Sequence, residues 1–286
     1  MRPATFEYVR ATTVDEAIRA VQEAPGEARL LAGGQTLVNL MRARTVRPST
    51  VVDISGLSDL NYIRQDGDQL AVGALTRMCD LEQSDVVRRA CPALAAAARS
   101  VGDPQVRNRA TVGGNLLNPD PVSDIAPVLL ASAGTVVLRG PDGPEERSGD
   151  EFFSVPPGTP PTGRMIVEVR FGRAGSGCAF EKLSRRAADA AVANAAAFVS
   201  LADGAVSDLG LALGAVHDRP VRAAPVEERV RGQRFDPQAA LAALREFCAG
   251  LQPPDTVHGS AAYRREVAPV IALRALQRAV DQATRS

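Results

Sequence analysis

The sequence predicts an α+β protein of three modules, because strand-like and helix-like segments alternate along all 286 residues. Apolar residues make up 45% of the chain and charged residues 23%, which is ordinary usage for a globular protein. At roughly 100–200 residues per domain, the length indicates two domains or a subdivided pair. Glycines mark the expected boundaries, which divide the chain into residues 1–55, 56–173 and 174–286.

The first module alternates strand and helix signals. Residues 5–9 are rich in β-branched and aromatic side chains and predict a strand. Thr13 and Glu16 have capping-box spacing and begin an apolar-periodic helix that ends at Pro25-Gly26. A buried strand, a helix and a further strand are predicted at residues 29–32, 37–44 and 50–54, which completes a small βαβαβ unit.

The other two modules mix hairpin, helix and strand signals. The Asp66-Gly67 turn predicts a hairpin of residues 62–65 and 69–73. Further helices are predicted at 76–89, 92–101 and 122–132, and strands at 136–139 and 165–171. In the third module we expect strands at 178–183 and 206–216 and helices at 237–249 and, after Pro269, at 270–283. On that last helix Val270, Leu273, Leu276 and Val280 form one apolar side.

Composition excludes several classes of function. The 33 basic residues balance the 33 acidic ones, whereas a duplex-binding protein normally has a basic excess, so no nucleic-acid partner is expected. The apolar run at residues 190–202 is interrupted by Asn194 and Ser200 and is too short to span a bilayer. The N-terminus lacks the apolar core of a signal peptide. We therefore expect a cytoplasmic protein without a membrane span.

Cysteine and histidine usage predicts no metal centre. The four cysteines are far apart without a C-x-x-C pair, so neither an iron–sulfur nor a zinc framework is visible. His217 and His258 are the two histidines, which is too few for a histidine-rich metal site. Lys182 is the single lysine beside 32 arginines, so it is either retained for its compact ammonium or there by chance.

Two glycine pairs carry the strongest chemical signal. Gly33-Gly34 follows a predicted buried strand, and Gly113-Gly114 stands in a similar polar context. Paired glycines at a strand end permit positive φ and let successive N–H groups face one concavity, which binds phosphate. A tight turn explains either pair alone, and neither fits the Rossmann or P-loop spacing. Two such pairs in adjacent modules predict a ligand with two phosphates, that is, a dinucleotide.

Polar residues around the glycines extend this predicted site. Neutral hydrogen-bonding side chains are available from Thr36, Thr111, Asn115 and Asn118. Asp124 has two interpretations, because a carboxylate near a diphosphate would repel it. It either accepts hydrogen bonds from sugar or ribityl hydroxyls of the ligand, or caps the helix that follows it.

Four of these segments together resemble one known family. They are LAGGQT at residues 31–36, GDPQVRNRATVGGN at 102–115, NPDPVSD at 118–124 and FEKL at 180–183. In this order and spacing they are similar to the FAD-binding medium subunit of molybdenum hydroxylases, of the carbon monoxide dehydrogenase and xanthine dehydrogenase type. The resemblance covers nearly the whole chain.

The resemblance implies a vanillyl-alcohol-oxidase-type (PCMH) FAD-binding fold. Two α/β subdomains, residues 1–55 and 56–173, would hold FAD between them, and residues 174–286 would form a smaller C-terminal α+β domain. The positions that match the FAD contacts of the family are Leu31, Ala32, Gly33, Gly34, Gln35, Thr36, Leu37, Val101, Thr111, Gly113, Gly114, Asn115, Asn118, Asp124 and Lys182. Ala190 stands where the family often has an aromatic side chain against the flavin ring.

The resemblance also implies an electron-transfer function. A partner subunit would oxidise the substrate at a molybdenum cofactor, and a [2Fe-2S] small subunit would pass electrons through FAD to an external acceptor. No catalytic acid or base is nominated on this chain, and Lys182 is a hypothetical stabiliser of negative charge on the reduced flavin. Two alternatives remain open: a stand-alone flavin-dependent oxidase or dehydrogenase acting on a small organic substrate, and a binding or assembly module with purely structural glycine turns.

Overall fold

The computed structural model describes residues 2–118, 121–155, 163–172 and 176–285. Within these ranges the strands form three sheets of three, five and four strands, each packed against helices, which confirms the predicted α+β class. Each sheet lies inside one of the three predicted modules, whose boundaries stay a prediction. The boundary at 173/174, and Pro119-Asp120 of the NPDPVSD segment, lie outside the described residues.

The first sheet is parallel and contains β1 (Glu7–Arg10), β2 (Ala28–Leu31) and β3 (Thr50–Asp53), with β3 in the centre. Helices α1 (Val14–Gln22) and α2 (Leu37–Ala43) connect these strands, so the predicted βαβαβ unit is confirmed. The predicted cap also forms, since the Thr13 hydroxyl accepts a hydrogen bond from the Glu16 N–H at 3.1 Å.

The second sheet is antiparallel, in the order β4 (Ile63–Asp66), β5 (Gln69–Gly73), β8 (Met165–Phe171), β6 (Thr135–Gly140) and β7 (Gly143–Ser148). Short helices accompany it: α3 (Met78–Gln83), α4 (Asp85–Ala90), α5 (Pro92–Ser100), α6 (Pro104–Arg107), α7 (Val112–Leu116), α8 (Ile125–Ala131) and α9 (Gly149–Phe152). The single helix predicted at 76–89 is wrong, because extended Ser84 ends α3 and caps α4 through the Val87 N–H.

The third sheet is antiparallel, in the order β12 (Val221–Arg222), β11 (Ala205–Gly214), β10 (Ala193–Ala202) and β9 (Gly177–Leu183). Helices α10 (Ala224–Val230), α11 (Pro237–Ala249) and α12 (Ala261–Ala283) follow it. Strand β10 was not predicted. It is rich in alanine because both of its faces are covered: Ala196 and Phe198 join the core of the second sheet, while Ala195 and Ala197 join the core under α12.

The predicted start of the last helix is wrong. Helix α12 begins at Ala261, and Pro269 lies inside it. Pro269 cannot donate the usual backbone hydrogen bond, so the burial of one helix face must offset that loss. This face is a stripe of mostly small residues, Ala268, Ile271, Ala272, Ala275, Leu276 and Ala279, all of them buried. Val270, predicted on the apolar side, is 39% exposed. Among the residues that the structure describes, no helix is long and apolar enough to cross a bilayer.

Candidate functional site

The first glycine segment connects β2 to α2, as the sequence predicts. Gly34 has φ +74°, a conformation that side chains other than glycine rarely adopt. The backbone N–H groups of residues 33–37 donate to no acceptor within the described ranges, and all five residues are partly exposed. These residues therefore present five N–H donors that an anionic ligand can accept, a property typical of a phosphate-binding loop.

The second glycine segment differs from its prediction. Gly113 and Gly114 lie inside α7 rather than at a strand end, and neither has positive φ. The N–H groups of residues 112–115 all donate within the chain, to the carbonyls of Thr76, Ala74 and Thr111 and to the Thr111 hydroxyl. The prediction of a second open row of N–H groups is therefore wrong. Gly113 instead permits close packing, since a Cβ there would lie 3.2 Å from Ala74.

The two glycine segments nevertheless meet, as the two-phosphate prediction requires. A Cβ on Gly33 would lie 2.0 Å from the Arg109 carbonyl oxygen, so only glycine lets the two backbones approach this closely. Beside this contact is a cavity of about 230 Å³, whose walls include Ala32 and Gly33 from the first segment and Thr111 from the second. Arg77 and Arg109 also line it. We call this region the cleft.

A buried cluster of Asp124, Lys182 and Asn194 lies where the second and third sheets pack together. The Lys182 Nζ donates to Asp124 Oδ2 at 2.7 Å and to the Ser100 carbonyl at 2.9 Å. The Asn194 Nδ2 donates to Asp124 Oδ1 at 2.7 Å. Lys182 and Asn194 are register partners on β9 and β10, so they reach the same carboxylate from adjacent strands. The side chains of Lys182 and Asp124 are only 8% and 5% exposed.

The surroundings of Asp124 correct one of its two interpretations. The helix-capping bond is made by Ser123, whose Oγ accepts from the Ala126 N–H at 3.1 Å, and Asp124 makes no capping bond. Burial raises the pKa of Asp124, and the Lys182 ammonium and the Asn194 amide act in the opposite direction. The carboxylate accepts from Lys182 and Asn194 and also interacts with the Ser100 side chain, and a carboxylate has about four lone-pair sites in all. The ligand-binding interpretation thus stays a prediction.

Helix α7 connects the cleft to the cluster. Thr111 lies at the cleft and is the residue just before the first residue of α7. Asn115 lies near the C-terminal end of α7, and its side-chain oxygen accepts from the Ser123 hydroxyl at 2.6 Å. At 1.5 Å per residue these two positions are about 6 Å apart along the helix axis. The predicted residues thus form two groups. Ala32, Gly33 and Thr111 line the cleft, and the rest of residues 31–37 adjoin them in the chain. Val101, Asn115, Asn118, Asp124 and Lys182 lie at or near the cluster, and Gly113 and Gly114 lie between the two groups on α7.

Three residues of these groups were not predicted. Asn194 was noted only as an interruption of an apolar run, although a fully buried polar residue on a strand indicates a specific partner. The sequence did not single out Arg77 and Arg109 as binding residues, because arginine is the usual basic residue of this chain. Ala190, where the resemblance implies a missing aromatic, is partly exposed and precedes Ala191, whose carbonyl accepts from Arg264 at 3.1 Å.

Comparison with known protein families matches almost the whole chain. Residues 4–173 match the family described as the FAD binding domain in molybdopterin dehydrogenase, and residues 178–279 match the CO dehydrogenase flavoprotein C-terminal domain. Both matches fall on the regions that contain the cleft and the cluster.

Individual relatives and solved structures agree with these families. The glyceraldehyde dehydrogenase medium chain of Sulfolobus acidocaldarius is 34% identical over 97% of this chain and 99% of its own. The carbon monoxide dehydrogenase medium chain of Hydrogenophaga pseudoflava is 34% identical over 98% of both chains. Among solved structures, carbon monoxide dehydrogenase from Hydrogenophaga pseudoflava aligns with a TM-score of 0.94 over 99% of both chains, at 34% identity. Quinoline 2-oxidoreductase from Pseudomonas putida 86 aligns with a TM-score of 0.91, at 29% identity.

These matches define the class as FAD-binding flavoproteins of dehydrogenases. More specifically, the chain belongs to the family of medium, FAD-binding subunits of molybdenum hydroxylases. The predicted fold, the FAD cofactor, the oxidoreductase class and the function within a multi-subunit complex are thereby confirmed. The comparisons give no support to the stand-alone alternative. The cleft fits FAD, because five N–H donors without acceptors in the described ranges suit an anionic diphosphate.

Proposed function

We propose that this chain assembles with a molybdenum-binding large subunit and a [2Fe-2S] small subunit, and transfers electrons from the small subunit to an external acceptor. Bound FAD supplies the redox chemistry, while the chain binds and orients it. The observation that carries this proposal is the row of N–H donors at residues 33–37, in a chain whose relatives are named as medium chains of dehydrogenases.

We expect two groups of residues to hold FAD, one at the cleft and one at the buried cluster. The N–H groups of residues 33–37 donate to the diphosphate, and the Thr111 hydroxyl at the cleft keeps its own proton for donation. At the cluster, the remaining lone pairs of Asp124 accept from ribityl hydroxyls. Lys182 acts there as the partner of Asp124 rather than as a free cation, so its hypothetical stabilisation of reduced flavin is offset by the carboxylate at 2.7 Å.

We further propose that the substrate is selected elsewhere in the complex. Relatives of comparable identity are named for glyceraldehyde, carbon monoxide and caffeine, at 34%, 34% and 30% identity. Such different molecules share no chemistry that one medium chain would recognise. We expect the chain to work beside a substrate-binding partner subunit, and we propose that this complex is cytoplasmic.

We also propose that Ala190 leaves one face of the bound flavin without an aromatic side chain to cover it.

The test is to express the chain with an affinity tag in its native host and to analyse what copurifies. We expect FAD by its absorbance spectrum, molybdenum and iron by elemental analysis, and a large and a small subunit by mass spectrometry. A matched preparation of the tagged chain alone should contain FAD but neither metal. A colourless chain that takes up no added FAD would contradict the proposal. A chain that purifies alone and reduces its own flavin with an organic donor would favour the stand-alone alternative.

A further inference from the structure

The second wall of the cleft lacks the donors that the sequence led us to expect. The N–H groups of residues 112–115 are all engaged within the chain, so they are not available to a ligand. A diphosphate bound by residues 33–37 would therefore have backbone N–H donors on one side only, with the Thr111 hydroxyl as a single donor on the other. On the wall that carries Thr111, positively charged side chains are the groups that could bind the remaining phosphate oxygens.

Two arginines stand on that wall at the required place. Arg77 forms an isolated antiparallel bridge with Thr111, the residue that precedes α7. Arg109 lies two residues before Thr111, and its carbonyl contacts Gly33. Both arginines line the same cavity of about 230 Å³ as Ala32 and Gly33. They are therefore adjacent to both glycine segments.

Neither arginine has a carboxylate within salt-bridge distance among the described residues, although Asp80 Oδ2 accepts from the Arg77 backbone N–H at 3.3 Å. Neither guanidinium forms a hydrogen bond or an ion pair with a described residue, whereas the neighbouring Arg107 is paired with Glu82 at 2.8 Å. No aspartate or glutamate is among the described residues that line the cavity, so its walls carry two positive charges. An arginine without a carboxylate partner is well suited to a phosphate, which accepts from its planar fork of donors.

We propose that Arg77 and Arg109, which line the same cavity as Gly33 and Thr111, bind the diphosphate of FAD together with the N–H groups of residues 33–37. This assignment rests on the proposed FAD function. In this assignment, two guanidinium groups provide the hydrogen-bond donors that the second glycine segment was predicted to provide. It also explains why the described lining of the cavity contains two arginines and no aspartate or glutamate. Both arginines are binding residues, and no redox step is assigned to them.

The test measures FAD affinity on the full chain after its flavin has been removed, by titration with FAD and flavin fluorescence. Arg77→Gln, Arg109→Gln and the double variant are compared with Arg89→Gln, which removes an exposed arginine on α4 away from the cavity. Each cleft variant is expected to raise the Kd about tenfold, the effect of losing one charge-assisted hydrogen bond. Arg89→Gln should leave the Kd unchanged, and Arg77→Lys and Arg109→Lys should restore part of the affinity.

Salt provides a second measurement that a structural role would not change. The Kd of the wild-type chain should rise with ionic strength, and this dependence should weaken in the double variant because fewer exposed charges contact the ligand. Equal Kd values for the wild-type and double-variant chains, or an equal loss in Arg89→Gln, would overturn the assignment while leaving the FAD function intact. A wild-type chain that binds no FAD would instead overturn the proposed function itself.

Discussion

The cleft and the buried cluster differ in how their polar groups are satisfied. At the cleft, the N–H groups of residues 33–37 and the guanidinium groups of Arg77 and Arg109 have no acceptor among the described residues. In the cluster, the Lys182 ammonium and the Asn194 amide both donate to Asp124 at 2.7 Å. The cleft is therefore open to a ligand. In the cluster, the Lys182 and Asn194 donors have acceptors in the chain, the buried Asn194 Oδ1 has no partner among the described residues, and the contacts connect the second sheet region to the third.

This difference predicts that substitutions in the two regions affect different quantities, the FAD affinity and the free energy of unfolding. A ligand that binds only the folded chain stabilises it by mass action, so FAD should protect the cleft region most. The cluster should contribute to stability whether FAD is bound or not, because its donors and acceptors belong to one chain. Changes at the cluster should thus alter the free energy of unfolding even in the apo chain, in addition to any loss of the proposed ribityl contact of Asp124, whereas changes at the cleft should alter mainly the FAD affinity.

The largest effect is expected from Asp124→Ala. It removes the acceptor of two buried donors, Lys182 and Asn194, and leaves the ammonium without a counter-charge. Breaking a buried pair from one side typically costs about 3–5 kcal/mol of unfolding free energy. Urea unfolding of the apo chain measures this loss, and Asp68→Ala, at an exposed aspartate, is the matched control. A loss no larger than that of the control would mean that the cluster does not hold the two regions together.

The next effect is expected from Gly33→Ala, which tests the cleft. The added Cβ would lie 2.0 Å from the Arg109 carbonyl oxygen, so the backbone itself must shift. Overpacking of this kind costs about 1–3 kcal/mol, and here it also displaces the N–H donors from the second wall. We expect the variant to lose most of its FAD affinity in the same fluorescence titration.

Gly114→Ala is the matched control for that variant. The new Cβ would lie 3.0 Å from the Thr111 hydroxyl, a side-chain atom, and Gly114 is helical without positive φ. Its N–H already donates to Thr111, so the change should leave FAD affinity nearly as it is. If Gly114→Ala impaired binding as strongly as Gly33→Ala, the contrast between the two glycine segments would be wrong.

The sequence predicted the local features of this fold better than the contacts between its regions. The Gly33-Gly34 turn and the Thr13 cap are properties of a few consecutive residues, and both are confirmed. Pairing of Asn194 with Asp124 spans 70 residues, and no local pattern encodes it. The Gly113-Gly114 pair looked like the first one, but the Gly113 N–H donates to the Ala74 carbonyl and the Gly114 N–H to the Thr111 hydroxyl, and sequence spacing does not reveal the contact with Ala74.

Two other errors involve the third module. Strand β10 was missed because alanine signals a strand less strongly than leucine or valine does. The first half of α12 was missed because Pro269 was taken to precede the helix, whereas it lies inside it. Small residues allow close packing of α12 on the sheet: a Cβ at Gly177 of β9 would lie 2.0 Å from the Ala279 carbonyl of α12, and Ala195 and Ala197 of β10 share one core with Ala275. Tertiary contact, rather than propensity, therefore decides these elements.

The pH dependence of stability provides a further test of the cluster. Burial raises the pKa of Asp124 above its usual 3.8, so the folded chain holds the proton more tightly than the unfolded chain does. The part of the stability that is linked to this pKa shift is thus full below 3.8 and is lost as the pH rises through the raised value, while the contacts of the ionised carboxylate with Lys182 and Asn194 remain. Urea unfolding of wild type and Asp124→Asn should show the wild type losing stability relative to the variant across that window. The opposite slope would mean that Lys182 outweighs burial.

The smallest effect is expected from Thr111→Val, which tests the point where the cleft meets α7. The Thr111 hydroxyl accepts from the Gly114 N–H at 3.3 Å, and losing such a cap costs about 1 kcal/mol. Because the hydroxyl proton remains free to donate to FAD, valine should also weaken FAD binding, whereas Thr111→Ser should preserve both properties. Urea unfolding and the FAD titration separate the two roles. A valine variant that loses stability but keeps its FAD affinity would show that Thr111 only caps the helix, leaving the second wall to Arg77 and Arg109.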